Sequence, residues 1–183
     1  MNKKLYVISG CSGVGKGTVI KEFMKRNSDD FILSVSCTTR QPRTGEIHGV
    51  HYFFLTHEEF EKSILEDKFL EHAQLAGIHY GTKKKYVRQK MDEGYNVLLE
   101  IDTQGALQVK EKMPEAVLIF IAPPSVEELE HRLRGRHTED EETIQKRLAQ
   151  VKTELERSKK YDYIVINDSV DQAVKDIERI VKQ

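Results

Sequence analysis

An apolar run, Leu5-Tyr6-Val7-Ile8, leads into Gly10-Cys11-Ser12-Gly13-Val14-Gly15-Lys16, and a helix-compatible stretch from Thr18 to Lys25 follows. Strand, glycine-rich turn and helix in this order restrict the chain to folds in which a core strand delivers a loop to a helix N-terminus. Glycines there let backbone N–H groups curve around an anion. The helix N-terminus adds its own N–H groups and a partial positive charge. Lys16 extends the cradle toward the outer phosphates of a nucleoside triphosphate. The candidate triphosphate-binding residues are therefore Gly10, Cys11, Ser12, Gly13, Val14, Gly15, Lys16, Gly17 and Thr18. Gly17 stands where this motif usually has a Ser or Thr that ligates magnesium, and Thr18 follows with a hydroxyl. Magnesium commonly keeps several waters and is held by substrate phosphates. The pattern thus predicts a phosphate loop and assigns no protein ligand to a metal.

The chain has 183 residues, enough for one domain with a full core. A net charge of −1 supplies no global field toward nucleic acid or membrane, so anion binding must come from local clusters. Two cysteines, Cys11 and Cys37, make no disulfide framework and have no metal-ligand spacing, which favours a reducing compartment. The N-terminal residues run directly into a strand, which predicts no signal peptide. The longest apolar run, 116–124, is too short to span a bilayer.

Short apolar strands alternate with amphipathic helices, which predicts an α/β fold with a mainly parallel sheet. The predicted core strands are 5–9, 32–36, 96–101, 117–122 and 163–166. Capping-box signals start helices at Thr56 with Glu59 and at Ser125 with Glu128, Gly94 signals a helix stop, and a last helix spans 170–181. Two regions break the alternation. Residues 37–82 carry Gly, His, Thr, Arg and aromatics with strand-like pieces at 52–55 and 69–76, as in an inserted β-rich lobe. Residues 125–157 are helical and highly charged, with a break at Gly135-Arg136-His137-Thr138, as in a helical flap.

Ser36-Cys37-Thr38-Thr39-Arg40-Gln41-Pro42-Arg43 places two arginines three residues apart where Pro42 disfavours helix. Guanidinium forks match phosphate oxygens, and two make a clamp, although a solvated loop pair is the plain alternative. Tyr52 and Tyr80 offer phenolic donors to the same anion. Glu71 and Asp102 each interrupt or end an apolar stretch. Carboxylates accept hydrogen bonds only. Guanine donates from N1–H and its amine, whereas adenine has no N1–H, so two carboxylates beside the hydroxyls of Ser36 and Thr82 favour guanine. The competing readings are a magnesium-associated carboxylate for Asp102 and an exposed strand residue for Glu71. On the charged segment, Arg132 and Arg134 read as solvated. Arg136, at the break, and Arg147, about three turns further on, are placed to stabilise a phosphoryl group in transfer. The seven histidines show no metal spacing, and Lys83-Lys84-Lys85 reads as the start of a helix. No basic patch with interleaved aromatics suggests nucleic acid.

Several segments together resemble the guanylate kinase family over essentially the whole chain. They are Ser34-Val35-Ser36-Cys37-Thr38-Thr39-Arg40-Gln41-Pro42-Arg43, Gly49-Val50-His51-Tyr52, His79-Tyr80-Gly81-Thr82, Glu100-Ile101-Asp102-Thr103-Gln104-Gly105, Ile121-Ala122-Pro123-Pro124-Ser125 and Val165-Ile166-Asn167-Asp168. The resemblance implies ATP + GMP giving ADP + GDP, with dGMP also accepted and Mg2+ carried with ATP on phosphates and water. It implies a three-layer α/β/α phosphate-loop core (1–36, 83–124, 158–183), a GMP-binding lobe (37–82) and a helical lid (125–157). By the same resemblance Ser36, Arg40, Arg43, Tyr52, Glu71, Tyr80, Thr82 and Asp102 fall on GMP-binding positions. Lys16, Arg136 and Arg147 fall on phosphoryl-transfer positions, with Arg40 and Arg43 beside them, and Asn167 falls near the adenine contact. The implied setting is cytoplasmic, with ATP and GMP as small-molecule partners, no nucleic acid, no membrane, and a monomer or small homo-oligomer. Cys11, His51, Glu100 and His137 depart from common family residues, and none removes a catalytic group. Two other readings fit less well. Non-catalytic scaffold modules related to this family typically lack an intact phosphate loop, and kinases for other small phosphorylated acceptors lack the base-reading carboxylates. Cys11, beside the loop amides and Lys16, is either a thiol of lowered pKa or a small residue that fits the turn.

Overall fold

The computed structural model describes residues 3–135 and 140–183. The first half of the chain forms β1 (Leu5–Gly10), α1 (Lys16–Arg26), β2 (Phe31–Leu33), β3 (Cys37–Thr38), β4 (Phe53–Phe54), α2 (His57–Leu65), β5 (Phe69–Leu75), β6 (Ile78–Lys83) and α3 (Lys84–Asp92). The second half forms β7 (Asn96–Glu100), α4 (Thr103–Lys112), β8 (Val117–Ala122), α5 (Val126–Gly135), α6 (Glu141–Ser158), β9 (Tyr163–Ile166) and α7 (Val170–Val181). Among the described residues no helix is long and apolar enough to cross a membrane.

Five strands pair in parallel in the order β2-β7-β1-β8-β9. The period-2 alternation of strand side chains splits the core in two. On β1, Tyr6 and Ile8 pack with Val19 and Phe23 of α1, Val151 of α6 and Val174 and Ile177 of α7. Leu5 and Val7 face the other way, onto Val87 of α3 and Ala106 and Val109 of α4. Both faces are covered, which gives a three-layer α/β/α core and explains why these strands read as continuous apolar runs.

A second sheet, ordered β4-β3-β6-β5, surrounds a small core of Cys37, Phe60 and Phe69, with the two phenyl rings stacked at 4.4 Å. A bulge between Phe69 and Glu71 shifts the register of the β5–β6 ladder. Strand alternation sends consecutive residues to different cores, Phe69 to the small one and Leu70 to the layer under α3 and α4. The same one-residue shift sets Glu71 opposite Thr82.

Most predicted elements are present, and the differences have local causes. The predicted strand 32–36 stops at Leu33. The Ser34 amide still bonds the Leu98 carbonyl at 2.8 Å, but the Ser36 carbonyl accepts from the Phe53 amide at 2.8 Å, so the chain changes sheets between them. The predicted strand 69–76 ends at Leu75, because Ala76 and Gly77 form a two-residue hairpin turn with φ of 49° and 79°. Strands β3 and β6 are additional to the predicted elements, β3 being only two residues long and β6 carrying Gly81 in its interior. Thr56 and Glu59 make both capping-box bonds, at 3.1 and 2.7 Å, the Ser125 hydroxyl accepts from the Glu128 amide at 3.0 Å, and Gly94 follows α3 at φ 98°.

A turn with positive φ at both central residues favours Asn-Gly over Ala-Gly, because Ala lacks the local hydrogen bond that offsets the left-handed conformation. Replacing Ala76 by Asn should therefore raise unfolding free energy by about 0.5–1 kcal/mol. Urea denaturation with an unchanged m-value checks this, and a neutral or lower midpoint would contradict it.

Candidate active site

The phosphate loop is strapped to the C-terminal ends of two neighbouring strands. Gly10 lies against β8 so closely that a Cβ there would sit 2.6 Å from the Ile121 carbonyl oxygen. The Cys11 amide donates to that same carbonyl at 3.3 Å. Past β9, buried Asn167 donates from Nδ2 to the Val14 carbonyl at 2.7 Å. Gly15, the N-cap of α1, takes φ 86°, and an L side chain there would also press on Asn167. The fold therefore places Asn167 behind the loop as a strap, with its Oδ1 buried and without a partner among the described residues. Gly10, Cys11, Ser12, Gly13, Val14, Gly15, Lys16 and Gly17 line a cavity of about 450 Å³ together with Asp102, Gln150 and Glu154. Thr18 is exposed in the first turn of α1.

A second cavity, about 380 Å³, opens between the two sheets and is lined by Lys16, Ser36, Tyr52, Glu71, Tyr80, Glu100 and Asp102 among others. Lys16 and Asp102 belong to both cavities and form their common wall. Lys16 Nζ stands 3.8 Å from Glu100 Oε1 at the end of β7. Asp102 is the N-cap of α4 and accepts from the amides of Gln104 (2.7 Å) and Gly105 (2.8 Å), both on Oδ1. Glu71 is buried, which overturns the reading of it as an exposed strand residue. Its Oε1 accepts from the Thr82 hydroxyl at 2.6 Å. Burial pushes its pKa up to about 7, against the opposing pull of the Thr82 bond and with help from the Asp102 charge. Gly105 leaves room for this carboxylate, since a Cβ at that position would lie 2.8 Å from Glu71 Oε2.

Arg40 forms a two-point pair with Glu46, at 2.9 and 2.8 Å, and lies 5.4 Å from the Tyr52 ring centroid. The Arg43 amide also donates to Glu46, at 2.7 Å, while the Arg43 side chain is exposed. Glu46 thus organises the arginine segment, and nothing in its exposed-looking loop context singled it out in the sequence. Arg147 is half-buried on α6. Arg136, with His137 beside it, lies outside the described residues. Glu154, also on α6, accepts from the Ser12 amide at 3.1 Å and was hidden in the sequence within a run of solvated charges.

Of the two readings of Cys11, the structure favours the small residue that fits the turn. It is 3% exposed within the main core, and burial followed by the Glu154 charge pushes its pKa up to about 12. Burial likewise raises Cys37 to about 11. Both thiols stay protonated near neutral pH and behave as small core residues. At pH 8 iodoacetamide should modify the folded protein on the order of 10²-fold more slowly than the urea-unfolded chain, with no further protection by a nucleoside triphosphate. Rapid labelling of Cys11 in the folded state, read by peptide mass mapping, would contradict this.

Comparison with known proteins places the sequence and fold in a family. A family model described as guanylate kinase matches residues 2–183. A guanylate kinase of Caldanaerobacter subterraneus subsp. tengcongensis is 53% identical over 177 residues, covering 97% of this chain and 85% of its own. One of Prochlorococcus marinus subsp. pastoris is 49% identical over 180 residues, covering 98% and 97%. The crystal structure of guanylate kinase from Anaplasma phagocytophilum matches with a TM-score of 0.74 at 31% identity, over 98% of this chain and 85% of that one. The chain belongs to the guanylate kinase family.

Proposed function

We propose that the phosphate-loop cavity takes ATP, that the adjoining cavity takes GMP, and that the γ-phosphoryl group passes between them beside Lys16. ATP-dependent phosphorylation of GMP is the activity of the family to which the chain belongs. The observation that carries the site assignment is the common wall: Lys16 and Asp102 face both cavities. A donor and an acceptor held on either side of one lysine need no nucleophilic side chain. An oxygen of the GMP phosphate attacks the γ-phosphorus, the bond to the β–γ bridging oxygen breaks, and ADP leaves. The protein aligns two mutually repelling anions and neutralises them.

In this reading Lys16 and the loop amides hold the ATP phosphates. Arg40, Arg43, Tyr52 and Tyr80 hold the GMP phosphate. Arg147, and Arg136 from outside the described residues, stabilise the phosphoryl group in transit. Glu71 and Asp102 accept from the guanine N1–H and amine, with Ser36 and Thr82 completing the base edge. Guanine donors would favour the ionised form of Glu71, whose pKa burial raises to about 7. Asn167 supports ATP from behind the loop by fixing Val14. Thr18 is exposed on α1 and Glu100 on β7, and among the described residues no group of three His, Cys, Asp or Glu side chains could hold a metal ion. Mg2+ would arrive with ATP and be held by its phosphates and by water. Such an ion supplies charge neutralisation at the phosphate oxygens.

Residues 37–82 act as a GMP lobe and 125–157 as a lid, closing on the core 1–36, 83–124 and 158–183 to exclude water. dGMP would be accepted more weakly. Two unpaired cysteines suit a cytoplasmic setting.

ADP release measured with ATP and a panel of nucleoside monophosphates tests the reading. GMP should exceed AMP and CMP in kcat/KM by roughly 10⁴, and comparable values would sink it. Lys16→Ala and Arg43→Ala should each lower kcat/KM by about 10²–10³-fold. Near-normal turnover in either would remove that residue from its role.

Gly105→Ala offers a separate check on the base-reading carboxylate. The added Cβ must displace the Glu71 carboxylate, so the KM for GMP should rise about 10–100-fold while the KM for ATP stays within about twofold. Equal rises in both constants would show general damage instead.

A further inference from the structure

Among the described residues of α6, Glu154 is the only charged side chain that is buried, at 7% exposure. Its Oε2 accepts from the Ser12 amide in the phosphate loop at 3.1 Å, and its Oε1 accepts from Gln150 Nε2 at 3.0 Å. Both residues line the phosphate-loop cavity. Burying a carboxylate is costly, and placing one beside a loop built for phosphates adds repulsion. The apolar face of the helix, Ile144, Leu148 and Val151, already anchors it to the core without any charge. Apolar contact, however, is non-directional. A hydrogen bond from a backbone amide fixes both the rotation and the height of the helix.

We propose that Glu154 is a positioning residue that registers α6 on the phosphate loop through Ser12 and so places Arg147 over the phosphoryl group in transfer. Arg147 precedes Glu154 by seven residues, two helical turns, and therefore projects from the same face about 10 Å along the axis. Three residues beyond Glu154, Arg157 donates to the Thr103 hydroxyl at 3.2 Å and ties the end of the helix to α4. Polar ties from Glu154 and Arg157 thus orient the C-terminal half of α6, and the one at Ser12 bears directly on the loop. The inference rests on the assignment of Arg147 to phosphoryl transfer.

The contact is hydrogen bonding rather than charge pairing, so a neutral isostere should preserve it. In Glu154→Gln the amide oxygen can accept from Ser12, while its NH₂ donates to Gln150 once that side chain turns its own oxygen inward. Glu154→Ala loses the tie, and Glu154→Asp, one methylene shorter, cannot reach without moving the helix. With ATP and GMP, the Ala and Asp variants should lose about 10–100-fold in kcat with the KM for GMP within about twofold, and the Gln variant should stay within about threefold. In an Arg147→Ala background, adding Glu154→Ala should change kcat less than about threefold, because the residue it positions is gone. Amide exchange of Ser12 in the nucleotide-free protein should be at least about tenfold faster in the Ala variant than in the parent or the Gln variant.

Losses that multiply fully in the double variant, a Gln variant as damaged as Ala, or unchanged Ser12 exchange would each overturn the proposal. Full turnover by Arg147→Ala alone would instead overturn the assignment of Arg147, and Ser12 exchange would still report whether the tie exists. If the Ala variant fails to fold, the contrast between Asp and Gln decides the same question.

Discussion

The apposition of Gly10 to the Ile121 carbonyl governs this site. No side chain fits between the end of β1 and the end of β8, where a Cβ would meet that oxygen at 2.6 Å. The chain must therefore turn sharply, and the Cys11 amide is captured by the same carbonyl. Asn167 adds a hold on Val14 from the next strand over. The loop amides are set by the sheet before any nucleotide arrives, so little reorganisation is left for binding or reaction. Both proposed substrate cavities inherit this frame, because Lys16 lies at the start of the helix that the loop begins.

The proposed two-nucleotide site is nevertheless lined with carboxylates, and each has a defined hydrogen-bond or ionic partner. Glu100 faces Lys16, Asp102 caps a helix N-terminus, Glu154 meets the Ser12 amide, and Glu71 takes the Thr82 hydroxyl. Negative charge at a helix N-terminus is favourable there. Glu71 relieves its own burial by holding its proton more tightly than an ordinary carboxylate. In the proposed site, acceptors for a base edge can thus stand close to phosphates without leaving uncompensated buried charge.

Much of this was legible in the chain because the determining signals are local. The phosphate loop, the alternation of strand and helix, the caps at Thr56 and Ser125 and the stop at Gly94 all depend on residues within a few positions of one another. What escaped depends on contacts made across the fold. The bulge that sets Glu71 opposite Thr82 is a matter of cross-strand register with β6, and nothing in the local sequence of β5 announces it. The Glu154 contact joins residues 142 positions apart. The two readings of Cys11 could not be separated in sequence, since proximity to a helix N-terminus is visible there while burial within the α1, α6 and α7 layer is not.

The pairing of Arg40 with Glu46 has a consequence for ligand exchange. In the proposed clamp, a phosphate reaching Arg40 meets a guanidinium already satisfied at two points by a carboxylate of the same loop. Binding is then a swap of one oxyanion for another rather than the capture of a bare cation. The desolvation of Arg40 is shared between the two states, and Glu46 stands ready to reclaim the guanidinium as product departs. A resident carboxylate of this kind discounts weak anions and limits how long a strong one stays, which favours turnover over tight retention.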